Sequence, residues 1–189
     1  MKHADRVLAT GLIAVLLTCS IACNSSTALS YVKKFQPVVV NALVLSCAIS
    51  SGLPICGTKQ TTIDADYTLV VKLWGDWNTA VANGTSTVAL WNDLNAAFTT
   101  FENDSAQIFA VATGLNAPEV TAIVVSAETL LAVIESLFPS APAATSVTSS
   151  RRFKTALPQN FNFKGWKRDY NEKIDIAHRI HPNAAIKKV

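Results

Sequence analysis

The chain has 189 residues, half of them apolar and 15% charged. That is enough for one domain with a core, and too apolar for a disordered protein. Its net charge of +3 conceals a split: residues 23–139 carry four Lys against nine Asp or Glu, a net −5, and residues 140–189 carry ten Lys or Arg against three Asp or Glu, a net +7.

Residues 1–22 have the form of an export signal. A short basic start with Lys2 and Arg6 precedes an apolar run over residues 7–22. The run is shorter than the ~20 residues that span a bilayer comfortably. It ends Ser20-Ile21-Ala22-Cys23, with small residues where a signal peptidase cuts. A cysteine directly after Ala22 resembles the lipobox of bacterial lipoproteins, although Ser20 stands where that pattern usually has leucine. The resemblance implies that Cys23 carries lipid and becomes the mature N-terminus, with residues 23–27 as a polar tether. A rival reading places the box at Leu16-Leu17-Thr18-Cys19. An ordinary cleaved secretory signal and an uncleaved anchor are the other two readings of this segment.

Helical periodicity begins at residue 28. Leu29, Val32, Val39, Leu43 and Cys47 recur near helical spacing, and Pro37 marks either a kink or the first turn of a second helix. Residues 38–49 are nearly all apolar, which at that length predicts a buried core helix. Gly52 and Pro54 make the next stretch a loop, and Cys47 and Cys56 at its ends predict a disulfide in an exported chain.

Residues 62–113 predict a helical hairpin. Ile63, Tyr67, Val70, Trp74, Trp77 and Val81 lie on one face of the first arm. Trp91, Leu94, Phe98, Phe101, Ile108 and Ala112 do so in the second, with Ser105 in the one polar slot. Asn83-Gly84 supplies the turn and Ser86 a cap. Folding about that turn sets Trp77 against Trp91, Trp74 against Leu94, Val70 against Phe98, and Tyr67 against Phe101. Gly114 stops the arm, then Asn116 as cap and Pro118-Glu119 start a fourth helix to about Phe138. Its stripe is Val120, Ile123, Ala127, Leu130, Ile134 and Leu137, with Ala127 facing Ser105.

Residues 140–150 are a Ser/Thr/Ala/Pro linker by composition. Residues 151–189 form a basic, aromatic tail with a short amphipathic helix at 165–179 and an end that frays from Pro182 onward. Two readings of the tail compete. In one, Arg151, Arg152, Lys154, Lys167 and Arg168 form a patch for an anionic lipid or envelope polymer. In the other, Phe161, Phe163 and Trp166 dock on the body, since aromatics this dense are seldom left in water.

No catalytic constellation stands out. His178 and His181 share a helix face but lack a third ligand of suitable spacing, so no metal is expected. No phosphate loop occurs, no cofactor is implied, and the acids, such as Asp64, Asp66, Asp76, Asp93, Glu102 and Asp104, fall mostly on faces opposite the stripes, which reads as a solvated face rather than paired catalytic carboxylates. The expectation is an all-α chain: an antiparallel up-down four-helix bundle over residues 28–139 with a basic, partly helical C-terminal appendage. Its expected role is structural or interactive in a bacterial envelope, without enzymatic activity and without a nucleic-acid partner. The alternatives are a carrier of an apolar ligand between the helices, or a secreted soluble bundle whose tail binds an anionic partner.

Overall fold

The computed structural model describes the backbone of residues 2–139 and 161–189, and the side chains of 26–139 and 161–189. Among the described residues the chain is all-helical. The helices are α1 (Lys2–Ile49), α2 (Lys59–Ala82), α3 (Val88–Gly114), α4 (Pro118–Ser136) and α5 (Phe163–Ile180). The linker at 140–150 and Arg151, Arg152 and Lys154 lie outside the described residues.

α1 is one helix rather than two segments. It runs through residues 23–27 and through Pro37. Its buried residues, Ala28, Val32, Phe35, Val38, Val39, Ala42, Leu43 and Leu45, cover more than one side. A helix apolar on several sides needs several neighbours, and α1 packs directly on α2, α3 and α4.

The stripes of the hairpin become its core. Every stripe residue of α3 from Trp91 to Ala112 is buried, Ser105 included. Ser105 sits there without cost because its hydroxyl donates to the Phe101 carbonyl at 2.7 Å. Tyr67 meets Phe101 with ring centroids 6.5 Å apart. Trp74 lies edge-on to Phe98 at 5.8 Å, one turn from its expected partner Leu94, and edge-on to Phe138 at 5.0 Å. Later residues of α2 thus face earlier residues of α3, as an antiparallel pair does.

Helix ends differ in detail from the sequence expectation. Gly84 takes a positive φ of 66°. Its N–H donates to Val81 O at 3.1 Å and that of Thr85 to Ala80 O at 2.8 Å, the double bond of a glycine-terminated helix. Thr87, not Ser86, caps α3, its hydroxyl accepting from Leu90 N at 3.2 Å. Gly114 remains inside α3. Asn116 is the left-handed residue after it, with φ 54°, so it terminates α3 rather than capping α4. Asparagine tolerates that conformation better than other non-glycine residues.

The largest correction is the C-terminus. Residues 182–189 do not fray: Ala184 and Ile186 are buried, and Lys187 and Val189 are hydrogen-bonded to the side chains of Asn41 and Asn171.

Trp74 is fully buried among rings. Trp74→Ala is expected to destabilise the fold by about 3–5 kcal/mol, measured as a lowered urea midpoint with an unchanged slope.

Candidate functional site

The site with the most built chemistry is the place where the C-terminal part of the chain meets the body. Asn162 caps α5, its side chain accepting from Gly165 N at 3.0 Å. From there α5 presents Tyr170, Ile174 and Ala177 inward, all fully buried. Phe163 stacks on Tyr31 of α1 at 5.0 Å, and Phe161 meets the same ring edge-on at 5.9 Å. Trp166 stacks between Phe163 and Tyr170. Its indole N–H donates to Ser126 O on α4 at 3.0 Å, and Lys173 Nζ donates to Ser126 Oγ at 2.6 Å.

Asn41 is the centre of this site. It is buried in an otherwise apolar stretch of α1. Lys187 N–H, a donor only, gives its proton to Asn41 Oδ1 at 2.9 Å. That fixes which way the carboxamide faces. Asn41 Nδ2 then donates to Lys187 O and to Tyr170 Oη, both at 2.6 Å. Burial pushes the Tyr170 hydroxyl up from its ordinary pKa, opposed by the bond from Asn41. One side chain thereby ties α1, α5 and the C-terminal segment together. The sequence did carry a signal for it: Asn41 is the one polar residue between 38 and 45, and a buried amide must be satisfied.

His178 and His181 do not converge on a shared ligand. His178 Nε2 lies 2.9 Å from Ile186 O, and His181 Nε2 lies 2.8 Å from Glu119 Oε1 at the start of α4. The hydrogen bond from His181 holds the Glu119 carboxyl below its usual range. Among the described residues no three His, Cys, Asp or Glu side chains are grouped to hold a metal ion.

Of the basic-patch residues, Lys167 is half-buried and Arg168 is exposed on α5. Arg168 pairs with its neighbour Asp169 at 3.1 Å, an exposed contact of little energetic consequence. The sulfurs of Cys47 and Cys56 stand at disulfide distance across the α1–α2 corner, with Cα atoms 5.8 Å apart. Cys23 lies in α1, its side chain outside the described residues.

A second cluster corrects the reading of the acids as a solvated face. Asp66 of α2 faces Asp104 of α3, which holds Lys59 Nζ at 2.7 Å. Asp66 Oδ2 is sealed from solvent and meets no N–H or O–H donor. Two carboxylates in contact favour one shared proton. Burial and the Asp104 contact push Asp66 up to about 6, while the bond from Lys59 holds Asp104 down.

No protein-family model matches the chain, and no match was found among curated proteins or solved structures.

Two predictions come from this geometry. Asn41→Ala leaves the buried Tyr170 hydroxyl without its donor and is expected to destabilise by about 1–3 kcal/mol. Tyr170→Phe, which leaves Asn41 bonded to Lys187, is expected to cost less; urea unfolding of both variants ranks them. The second concerns pH. Asp66 binds its proton more tightly folded than unfolded, so its stabilising contribution is present below about pH 4 and is lost as pH rises to about 6. Asp66→Asn, which offers Asp104 an N–H at every pH, is expected to flatten that decline in a thermal-melt series from pH 4 to 7.

Proposed function

We propose that this chain is an exported, lipid-anchored protein of a bacterial envelope, with a structural or interaction role and no catalytic activity. The observation that carries the reading is segment 1–23: a basic start, an apolar run and a small residue before Cys23. Lipid on Cys23 holds the chain to the membrane, and the rest faces the periplasm or the exterior. The body, taken as an antiparallel up-down four-helix bundle of α1–α4, carries α5 as its appendage.

Three features support this reading. The paired sulfurs of Cys47 and Cys56 suit an oxidising compartment. The stretch Ser26–Ile49 is long and apolar enough to cross a membrane, with mean hydropathy 1.4, but half of it is buried in the fold. Packing therefore accounts for its apolarity, and anchoring falls to the residues before it. The enclosure of Trp74 by Phe98 and Phe138 favours a structural core over an apolar carrier, because rings fill the space a ligand would need. Arg151, Arg152, Lys154, Lys167 and Arg168 supply a second contact, with an anionic lipid or envelope polymer.

Cys23→Ser is expected to release the protein into the soluble fraction or to stall its processing, read by membrane fractionation. Mass spectrometry showing a native mature N-terminus with unmodified Cys23 would overturn the anchor. Non-reducing peptide mapping is expected to find Cys47 and Cys56 joined.

A further inference from the structure

Residues 182–189 leave α5 after His181 and run to the C-terminus without forming a helix. Ala184 and Ile186 are 4% and 3% exposed, whereas Ala185 and Lys187 are exposed. Two tight turns shape the segment: Ala184 N–H donates to His181 O at 3.0 Å, and Ile186 N–H donates to Ala184 O at 2.9 Å. The main chain of the segment is held by side chains. Asn41 takes both the N–H and the C=O of Lys187, at 2.9 and 2.6 Å. Asn171 takes both the N–H and the C=O of Val189, at 3.0 and 3.2 Å. Just before them Ile186 O accepts from His178 Nε2 at 2.9 Å, which requires the proton on that nitrogen because a carbonyl only accepts.

Two carboxamides thus hold the main chain at Lys187 and Val189 while Ala184 and Ile186 are buried. Peptides are recognised this way: main-chain bonds hold the ligand, and pockets for its side chains select it. None of these contacts uses the covalent link at residues 181–182. The segment also has open space beside it. A cleft of about 350 Å³, lined by Gln36, Asn41, Asp64, Ala185 and Lys187 among others, flanks it on α1 and α2. It shares Val44, Gln60 and Asp64 with a second cleft of about 320 Å³ that reaches Cys47 and Cys56.

We propose that the groove between α1 and α5 is a peptide-recognition site, filled in cis by residues 182–189 and in trans by the same segment of a second copy of this chain. The partner is a second copy because the sequence that fits the groove is the chain's own, with a small residue at 184 and isoleucine at 186. Exchange between identical bodies keeps the contacts of Ile186, Lys187 and Val189 and requires only the turn over residues 181–184, just past the end of α5, to open. In a single copy the tethered segment holds a high effective concentration, so the closed form prevails until copies are concentrated.

Full-length Ile186→Asp keeps the groove and unseats the tail. A fluorescent peptide with the sequence of residues 181–189 is expected to bind this variant saturably by anisotropy. Binding to the unaltered chain, whose groove is filled, is expected to be at least about tenfold weaker. The same loss is expected for a peptide that itself carries Ile186→Asp. No binding to the folded variant, or binding indifferent to the isoleucine, overturns the proposal. Should Ile186→Asp fail to fold, native-state hydrogen exchange of the unaltered chain decides. The Lys187 and Val189 amides are expected to exchange by a local opening insensitive to low denaturant. Exchange only through global unfolding shows that the segment does not detach, and the groove is then no recognition site. In sedimentation, a dimer that grows with concentration and is abolished by Ile186→Asp supports the second copy. A chain that stays monomeric at millimolar concentration overturns it.

Discussion

From Ala28 to Ser46, α1 is apolar on several sides, and such a helix must be enclosed. α2, α3 and α4 pack directly against it, and α5 reaches it through Tyr31 and Asn41. The burial of Val32, Phe35, Val39, Ala42 and Leu45 supplies the apolar contact that the whole arrangement shares. Phe35 shows how far that sharing extends, since its ring meets both Phe101 and Phe109 of α3 edge-on.

Apolar burial does not by itself choose one rotation for each helix, because it has no direction. Buried polar groups supply the direction. Asn41 has to place two donors and an acceptor, and this seating of α5 and the C-terminal segment offers it Tyr170 Oη and the Lys187 peptide groups together. Ser126 does the same on the α4 side, accepting from Trp166 through its carbonyl and from Lys173 through its hydroxyl. A buried amide or hydroxyl left unmatched costs about 1–3 kcal/mol, so these contacts penalise alternative seatings more than they stabilise the chosen one.

Function and fold meet in the division of the chain. Residues 1–22 hold a basic start and an apolar run, the body carries a filled aromatic core, and the C-terminal part carries most of the cations. Residues 161–189 hold seven Lys or Arg against three Asp or Glu, yet this region is seated by aromatic rings and amides more than by charge. Its Lys and Arg ion pairs, Arg168–Asp169 and Lys188–Asp175, are exposed and contribute little. Lys164, Arg168 and Arg179 of this firmly seated helix are left at the surface, while Lys173 turns inward to Ser126.

Local chemistry was legible in the sequence. The three- and four-residue spacings of Trp91, Leu94, Phe98 and Phe101 fixed which face of α3 is buried, since periodicity alone determines a helix face. Asn83-Gly84 ended α2, because glycine adopts positive φ without strain. Cys47 and Cys56 could be paired because only the eight residues between them, Gly52 and Pro54 included, separate them in sequence. What only the tertiary structure decided are the matches across long separations. Asn41 and Lys187 are 146 residues apart, and neither residue type predicts the other. The C-terminal segment reads as a polar, fraying end because its partners are backbone atoms and distant amides, which leave no periodic trace. Asp66 and Asp104 read as solvated acids for a related reason: their contact depends on the rotation of α2 against α3, a quantity set by packing and not by the residues on either helix alone.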